Sequence, residues 1–296
     1  MLKWFSAFRL RTLPVAFSCI ITGNGLALAE NQFNSLIFVL SLITTIFLQI
    51  LSNLANDYGD YTKGVDNDDR VGPLRSLQSG LINKKEMIRA MWIVSALCSL
   101  FGVFLIYFGT LGLNIGNVAL FCILGLSAMF AAIKYTMGKN PYGYSGFGDM
   151  FVFLFFGWLG VFGSYFLQTH SIDLILFFPA SSIGFFTVAV LNINNMRDHK
   201  GDEESNKKTL VVKIGLANAK KYHVLINTLG ILFMVFFLMP NPVAILILII
   251  GLILFIKPTL DLLKSHDYKT FDPYLKKQAI ATFLFSILFV IGVNLE

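Results

Sequence analysis

Nine apolar runs recur along this chain, each near the length that crosses a bilayer, and they constrain the fold more than any motif does. A transmembrane helix needs about 20 mostly apolar residues. The runs fall at 12–29, 36–56, 89–109, 116–133, 148–167, 173–195, 221–239, 242–256 and 277–294. Within lipid a single segment satisfies its own backbone only as a helix, so the predicted fold class is all-α: a polytopic membrane protein with nine transmembrane helices. The whole chain, 1–296, reads as a single integral membrane domain. The eighth run is short, and Pro240-Asn241-Pro242 parts it from the seventh. Neither proline fits mid-helix without breaking the hydrogen-bond ladder, so a tight turn is expected there. Composition agrees, with 56% hydrophobic and 14% charged residues and a mean hydropathy of +0.71. Cys19, Cys98 and Cys122 match no zinc or disulfide spacing and read as small core residues. Met1 to Arg11 leads straight into a long apolar run without a small-residue cleavage pattern, so the first helix is expected to stay in the mature protein.

All 23 Lys and Arg residues fall before the first run or in alternate loops after it. The opposite loops, 30–35, 109–115, 168–172 and 240–242, carry none. Positive loops stay inside, so the N-terminus is expected in the cytoplasm and the C-terminus outside, in the cell (inner) membrane. The net charge of +6 is spread between apolar runs rather than gathered in a basic domain, which argues against nucleic acid as a partner. Two charged segments, 57–89 and 197–220, are long enough to cap the cytoplasmic face with short helices and ordered loops.

Two polar stripes enter the membrane from that face. Gln49, Asn53, Asn56 or Asp57, and Asp60 recur at helical spacing on the second run. Asn194, Asp198 and Asp202 do so on the sixth, with Asn195 one position on. In both, amides lie deep and carboxylates shallow. Polar groups inside a bilayer cost several kcal/mol unless satisfied, so such stripes face a partner or a water-filled cavity. The nine helices are therefore expected to surround a central cavity that opens to the cytoplasmic face. Two facing acidic stripes repel unless a cation sits between them. Mg²⁺ prefers carboxylate and substrate phosphate oxygens, and Arg75, Lys134, Arg197, Lys207, Lys208 and Lys213 lie on the same face to neutralise phosphate. The pattern points to a Mg²⁺-bridged diphosphate. Acids at a helix end are commonly solvated interfacial residues, and the reading rests on finding two such stripes on one face. A transporter places such residues at mid-membrane on broken helices, whereas these carboxylates sit at one face. The Asp-Gly-x-x-Ala-Arg string of lipid-alcohol phosphotransferases is absent.

These motifs resemble the UbiA-type intramembrane aromatic prenyltransferases. Asn56-Asp57-Tyr58-Gly59-Asp60 is similar to the family's first aspartate-rich motif, and Asp198 with Asp202 to its second. Gly64 stands where a last aspartate of the first motif is expected, with Asp66 two residues later as its possible replacement. Within the family, the branch that prenylates 1,4-dihydroxy-2-naphthoate on the menaquinone pathway is the most similar. The matching strings are Phe8-Arg9-Leu10-Arg11-Thr12-Leu13-Pro14, Gly72-Pro73-Leu74-Arg75, Lys134-Tyr135, the loop from Pro141 to Asp149, and Lys208-Thr209-Leu210.

The resemblance implies that Asp57, Asp60, Asp198 and Asp202 hold Mg²⁺ and are catalytic, with Asn56, Asn194 and Asn195 as polar support. It implies that Arg75, Lys134, Arg197, Lys208 and Lys213 bind the diphosphate of a polyprenyl donor. Asn53, Tyr135, Tyr144 and Asp149 are assigned to the acceptor, since a basic residue among tyrosines suits an anionic aromatic acid. An interfacial aromatic belt with a snorkelling lysine accounts for the same loop equally well. The expected reaction forms an allylic cation as diphosphate leaves, and the ring captures it with loss of CO₂. A different acceptor, such as 4-hydroxybenzoate, is the near alternative. His170, His223 and His266 receive no role, and His199 is expected to be solvated.

Overall fold

A computed structural model describes residues 2–66 and 71–295, so Arg70 lies outside the described residues. Among the described residues there are nine helices long and apolar enough to cross a membrane: Lys3–Ala29, Ser35–Thr62, Lys84–Gly109, Ile115–Lys134, Gly148–Thr169, Leu174–Glu204, Leu210–Leu238, Pro242–Lys264 and Asp272–Val293. They are called spans one to nine. Spans one and six are the most buried and form the hub, with span six packed on span seven, span two on span three, and span nine on spans one and eight.

Each boundary has a local cause. Asn34 caps span two by accepting from the Leu36 and Ile37 amides, and Asn83 with Glu86 forms a capping box that starts span three at Lys84, five residues before the apolar run. The expected turn between spans seven and eight is present: Asn241 is the N-cap and Pro242 the first helical residue, where its missing N–H costs nothing. Span eight is longer than its apolar run and continues through Pro258 to Lys264. Of the expected short capping helices, the second charged segment carries one: the first turn of span seven, from Leu210, is parted from the rest by a kink at Gly215 (φ 78°, ψ 159°). Spans two and six also continue past their apolar runs, and this extra length carries both acidic stripes as helix.

Several polar side chains within the bundle pair with one another. His223, to which the sequence assigns no role, is buried beside Asn227, whose side-chain oxygen accepts from Gln278 of span nine at 2.8 Å. His199 is half-buried rather than solvated. Its ring meets Tyr268 edge-on and its Nδ1 lies 2.8 Å from the Met196 carbonyl. Near the site, span two and the chain after span four approach closely. A Cβ at Gly59 would come within 2.4 Å of the Thr136 hydroxyl, which itself donates to the Ala55 carbonyl at 3.0 Å. That contact seats the chain just after span four against the helix that carries the first acidic stripe.

Candidate active site

The two acidic helix ends are built alike. In span two, Val65 N–H donates to the Asp60 carbonyl at 3.0 Å and Gly64 N–H to Tyr61 at 3.2 Å. In span six, Lys207 N–H donates to the Asp202 carbonyl at 2.7 Å and Asn206 N–H to Glu203 at 3.0 Å. Both are Schellman caps, whose C′ residue must take the left-handed conformation, here Gly64 (φ 72°) and Asn206 (φ 56°). Gly-Asp-x-x-x followed by Gly or Asn is thus a shared string, at Gly59 and at Gly201, which the sequence carries in plain view. It explains why no aspartate stands at position 64. The reversal there also turns the chain so that Asp66 is buried at the wall of the same cavity. Asp60 and Asp202 sit in the last turn of their helices, where the backbone dipole is negative, so both need cations nearby.

Those cations are present. A cavity of about 510 Å³ runs from the lysine- and arginine-bearing end into the bundle. Lys207 Nζ lies in its wall, 3.3 Å from Asp202 and 3.6 Å from Asp60, and so joins the two stripes through one ammonium. Burial disfavours that charge, but Asp202 and Asp60 hold the Lys207 ammonium well above the ordinary lysine range. Arg75 pairs with Asp57 and lies 3.9 Å from Asp60 and 3.7 Å from Asp66. Burial pulls the Arg75 guanidinium down to about 10, against the pull of Asp198 across the cavity, which leaves it charged at neutral pH. Arg197 is fully buried. It holds Asp198 through two bonds of 2.8 and 2.7 Å, Asn194 at 2.9 Å, and Asp272 of span nine at 2.5 Å. Tyr144 donates to Asp60 at 2.8 Å, and its ring faces Lys207. Its burial and the neighbouring Asp60 raise the phenol far above the usual tyrosine range, keeping it a donor. Deeper in, the wall turns apolar, with Val15, Leu48, Ala128, Phe155 and Phe156.

The structure divides the expected residues. Asp60, Asp198, Asp202, Arg75, Arg197, Asn53, Asn56, Asn194, Asn195 and Tyr135 all line the cavity. Asp57 is buried behind the wall, its carboxylate gripped by Arg9 and Arg75. Asn53 is tethered to the Phe8 carbonyl and to Thr12. Lys208 and Lys213 are exposed, and Lys213 bonds the Ser145 carbonyl at 2.7 Å. Lys134 lines a separate outer hollow. Tyr144 and Asp149 stand outside the cavity wall, and Asp149 is buried against Tyr222.

Two residues, Arg9 and Asp272, are missing from the expected set, and a third, Lys207, is expected on this face but left out of the diphosphate-binding residues. Arg9 breaks the first span in a left-handed turn (φ 47°) and reaches the cavity. Its signal was the Phe8–Pro14 string. Lys207 is the buried member of a lysine pair whose reading favoured Lys208. Asp272 bridges Arg197 and Arg11, the latter at 3.2 Å, and nothing local in the sequence marks it.

The donor set fits Mg²⁺. Asn56 Oδ1 and Asp202 Oδ2 are buried in the cavity wall without a hydrogen-bond partner, and both are hard oxygens. Among the described residues no three His, Cys, Asp or Glu side chains already form a metal cluster. Mg²⁺ takes one or two carboxylates and completes its shell with water and substrate phosphate, so facing acids with open oxygens suit it better than a closed cage.

Comparison with known proteins agrees with this architecture. A UbiA homolog from Archaeoglobus fulgidus, solved bound to GPP and Mg²⁺, superposes with a TM-score of 0.66 over 99% of both chains at 16% identity, a likeness of fold. The 1,4-dihydroxy-2-naphthoate octaprenyltransferase of Escherichia coli (strain K12) is 42% identical across 99% of this chain and 95% of its own length. The enzyme of the same name from Haemophilus influenzae is 40% identical across 98% and 94%. The model of the UbiA prenyltransferase family matches residues 16–292. With nine spans, two acidic stripes facing one cavity and this family match along nearly its whole length, the chain belongs to the UbiA prenyltransferase family.

Proposed function

We propose that this single-domain protein transfers a polyprenyl group from polyprenyl diphosphate to 1,4-dihydroxy-2-naphthoate, releasing diphosphate and CO₂ and forming demethylmenaquinol. The observation that carries the reading is identity of 40–42% along almost the full length of two enzymes named for that acceptor. The cavity supports it, being charged at one end and apolar at the other, as an amphiphilic donor requires.

Asp60, Asp198 and Asp202, with the Asn56 oxygen, are the groups that would hold Mg²⁺. When bound, the metal supplies Lewis-acid stabilisation to a departing diphosphate. Arg75, Arg197, Lys207 and Arg9 bring four positive charges to the same cavity. They bind the diphosphate and, being fixed before reaction by their carboxylate partners, stabilise charge as the C–O bond breaks. Asp57 acts indirectly by positioning Arg9 and Arg75. The apolar depth excludes water from the allylic cation, and Tyr135 on the wall offers a ring face to the aromatic acid. The ring carbon bearing the carboxylate bonds to the cation, and the electron pair of the broken C–CO₂ bond restores the aromatic ring. The segregation of lysine and arginine supports a cytoplasmic mouth in the cell membrane.

The test is an assay of detergent-solubilised protein with octaprenyl diphosphate and Mg²⁺, offering each aromatic acid in turn. Transfer to 1,4-dihydroxy-2-naphthoate with equal CO₂ release is expected, and loss of turnover in Asp60→Ala, Asp198→Ala and Asp202→Ala. Turnover of 4-hydroxybenzoate alone would overturn the acceptor, and full activity in all three variants would overturn the assignment of the acids.

A further inference from the structure

Gln49, Asn53 and Asp57 of span two follow one another at i, i+4 and i+8 and so stack on one helical face. All three end on the turn that joins the short first helix, Leu2–Phe8, to the rest of span one. The Asn53 amide donates to the Phe8 carbonyl at 3.0 Å and to the Thr12 hydroxyl at 3.1 Å, and the Gln49 amide donates to the same hydroxyl at 3.0 Å. That hydroxyl donates in turn to the Arg9 carbonyl at 3.0 Å, where the Thr12 N–H also arrives at 2.9 Å. Both peptide carbonyls that flank the Arg9 Cα are therefore tied to span two, one directly and the other through Thr12. Asp57 takes the Arg9 side chain.

The turn so held is a costly one. Arg9 is left-handed (φ 47°, ψ 54°), a conformation that crowds the Cβ of any residue but glycine. A glycine would adopt it freely but bring no charge to the cavity. The hydrogen-bonding capacity of the surrounding groups is also used up. A threonine hydroxyl has one proton and two lone pairs, and in Thr12 all three are engaged, by Arg9, Gln49 and Asn53. Both Asn53 amide protons are likewise committed. Thr12, Gln49 and Asn53 lie in the cavity wall beside Arg9, yet their bonds run to the turn.

We infer that Thr12, Gln49 and Asn53 are positioning residues for Arg9, a clamp that fixes its left-handed turn so that the guanidinium, braced by Asp57, stands at the diphosphate end of the cavity. The inference rests on the prenyl-transfer reading and adds how one of its cations is placed. It moves Asn53 from contact with the acceptor to support of the donor site.

Thr12→Val keeps the shape of the side chain and removes the hydroxyl, whereas Thr12→Ser keeps the hydroxyl. With octaprenyl diphosphate and 1,4-dihydroxy-2-naphthoate, Thr12→Val is expected to lower kcat/KM for the donor by about tenfold or more, because a misplaced binding group costs rate. The KM for the acceptor should stay within about twofold, and Thr12→Ser within about threefold of the unmodified protein. In an Arg9→Gln background the same Thr12→Val change should cost less than about twofold, since changes that act through one shared group do not add. Gln49→Met, a second variant on the same hydroxyl, should show the same dependence on Arg9. A Thr12→Val loss undiminished in the Arg9→Gln background, a raised acceptor KM, or no loss at all would overturn the inference. Calorimetry with inorganic diphosphate and Mg²⁺ reads the placement of Arg9 without an acceptor. Thr12→Val should bind about tenfold more weakly than the unmodified protein, and Arg9→Gln should bind alike with and without it. If diphosphate binds in this way but no aromatic acid is prenylated, the prenyl-transfer reading fails and the clamp stands. If the unmodified protein binds no diphosphate, both fail.

Discussion

Replacing Lys207 with methionine removes the cation that, among the described residues, joins the two acidic stripes, while keeping the length and apolar stem of the side chain. In the intact protein the ammonium lies 3.3 Å from Asp202 and 3.6 Å from Asp60, with all three groups buried. At an effective dielectric near 20, a charge pair at such a distance attracts by about 4 kcal/mol before desolvation is counted. Removing one partner from a buried pair costs on the order of 3–5 kcal/mol net, because the remaining charge is left uncompensated. The same ammonium stands where diphosphate charge develops, and losing one preorganised donor at such a point lowers kcat by about 10²–10³. Two assays separate these effects. Thermal unfolding in chelator should show a clear drop in Tm for Lys207→Met, and added Mg²⁺ should restore more of it than in the unmodified protein, since the metal takes over the role of the lost ammonium. Steady-state turnover at saturating Mg²⁺ should stay depressed. An unchanged Tm in chelator together with a kcat within about twofold of the original would refute the reasoning.

Two further outcomes follow from the caps and the ion pairs. Asp66→Asn should reduce turnover, and adding Gly64→Asp should not rescue it. An aspartate at φ 72° costs about 1 kcal/mol, and the cap that needs this conformation turns the chain away at that point; recovery of activity in the double variant would show that position 64 can supply the acid. Asp272→Asn should lower kcat more than it changes the KM for acceptor, because it frees Arg197 from a 2.5 Å bond that orients it toward Asp198, whereas Asp272→Glu should recover part of the loss. Equal kinetics in Asn and Glu variants would assign Asp272 a structural role only.

The spans were legible because a helix crossing lipid must be long and apolar, and no competing fold tolerates nine such runs. The two stripes were legible for the same reason, since amides and acids in that setting need a cavity. Which acid faces it was not. Asp57 and Asp60 are one helical turn apart, and only the approach of Arg9 and Arg75 from distant segments shows that Asp57 serves the arginines while Asp60 meets the cavity. Lys207 and Lys208 are adjacent, and the left-handed turn at Asn206 sends one inward and leaves the other exposed. Asp272 lies 75 positions from Arg197, a separation that no local pattern records. Helix ends were misjudged because hydropathy sees the bilayer and not the caps: Asn83 and Glu86 start span three among lysines, and Gly64 and Asn206 end their helices well past the apolar runs.

The central claim is that the two stripes act as one site. Binding of a non-reacting prenyl thiodiphosphate in the presence of Mg²⁺, measured by calorimetry on the unmodified protein, Asp60→Asn, Asp202→Asn and the double variant, tests it directly. Residues sharing one ligand couple strongly, so each single change should weaken binding by about tenfold or more and the double variant should be little worse than either. Losses that simply add, or binding undiminished in both single variants, would contradict it.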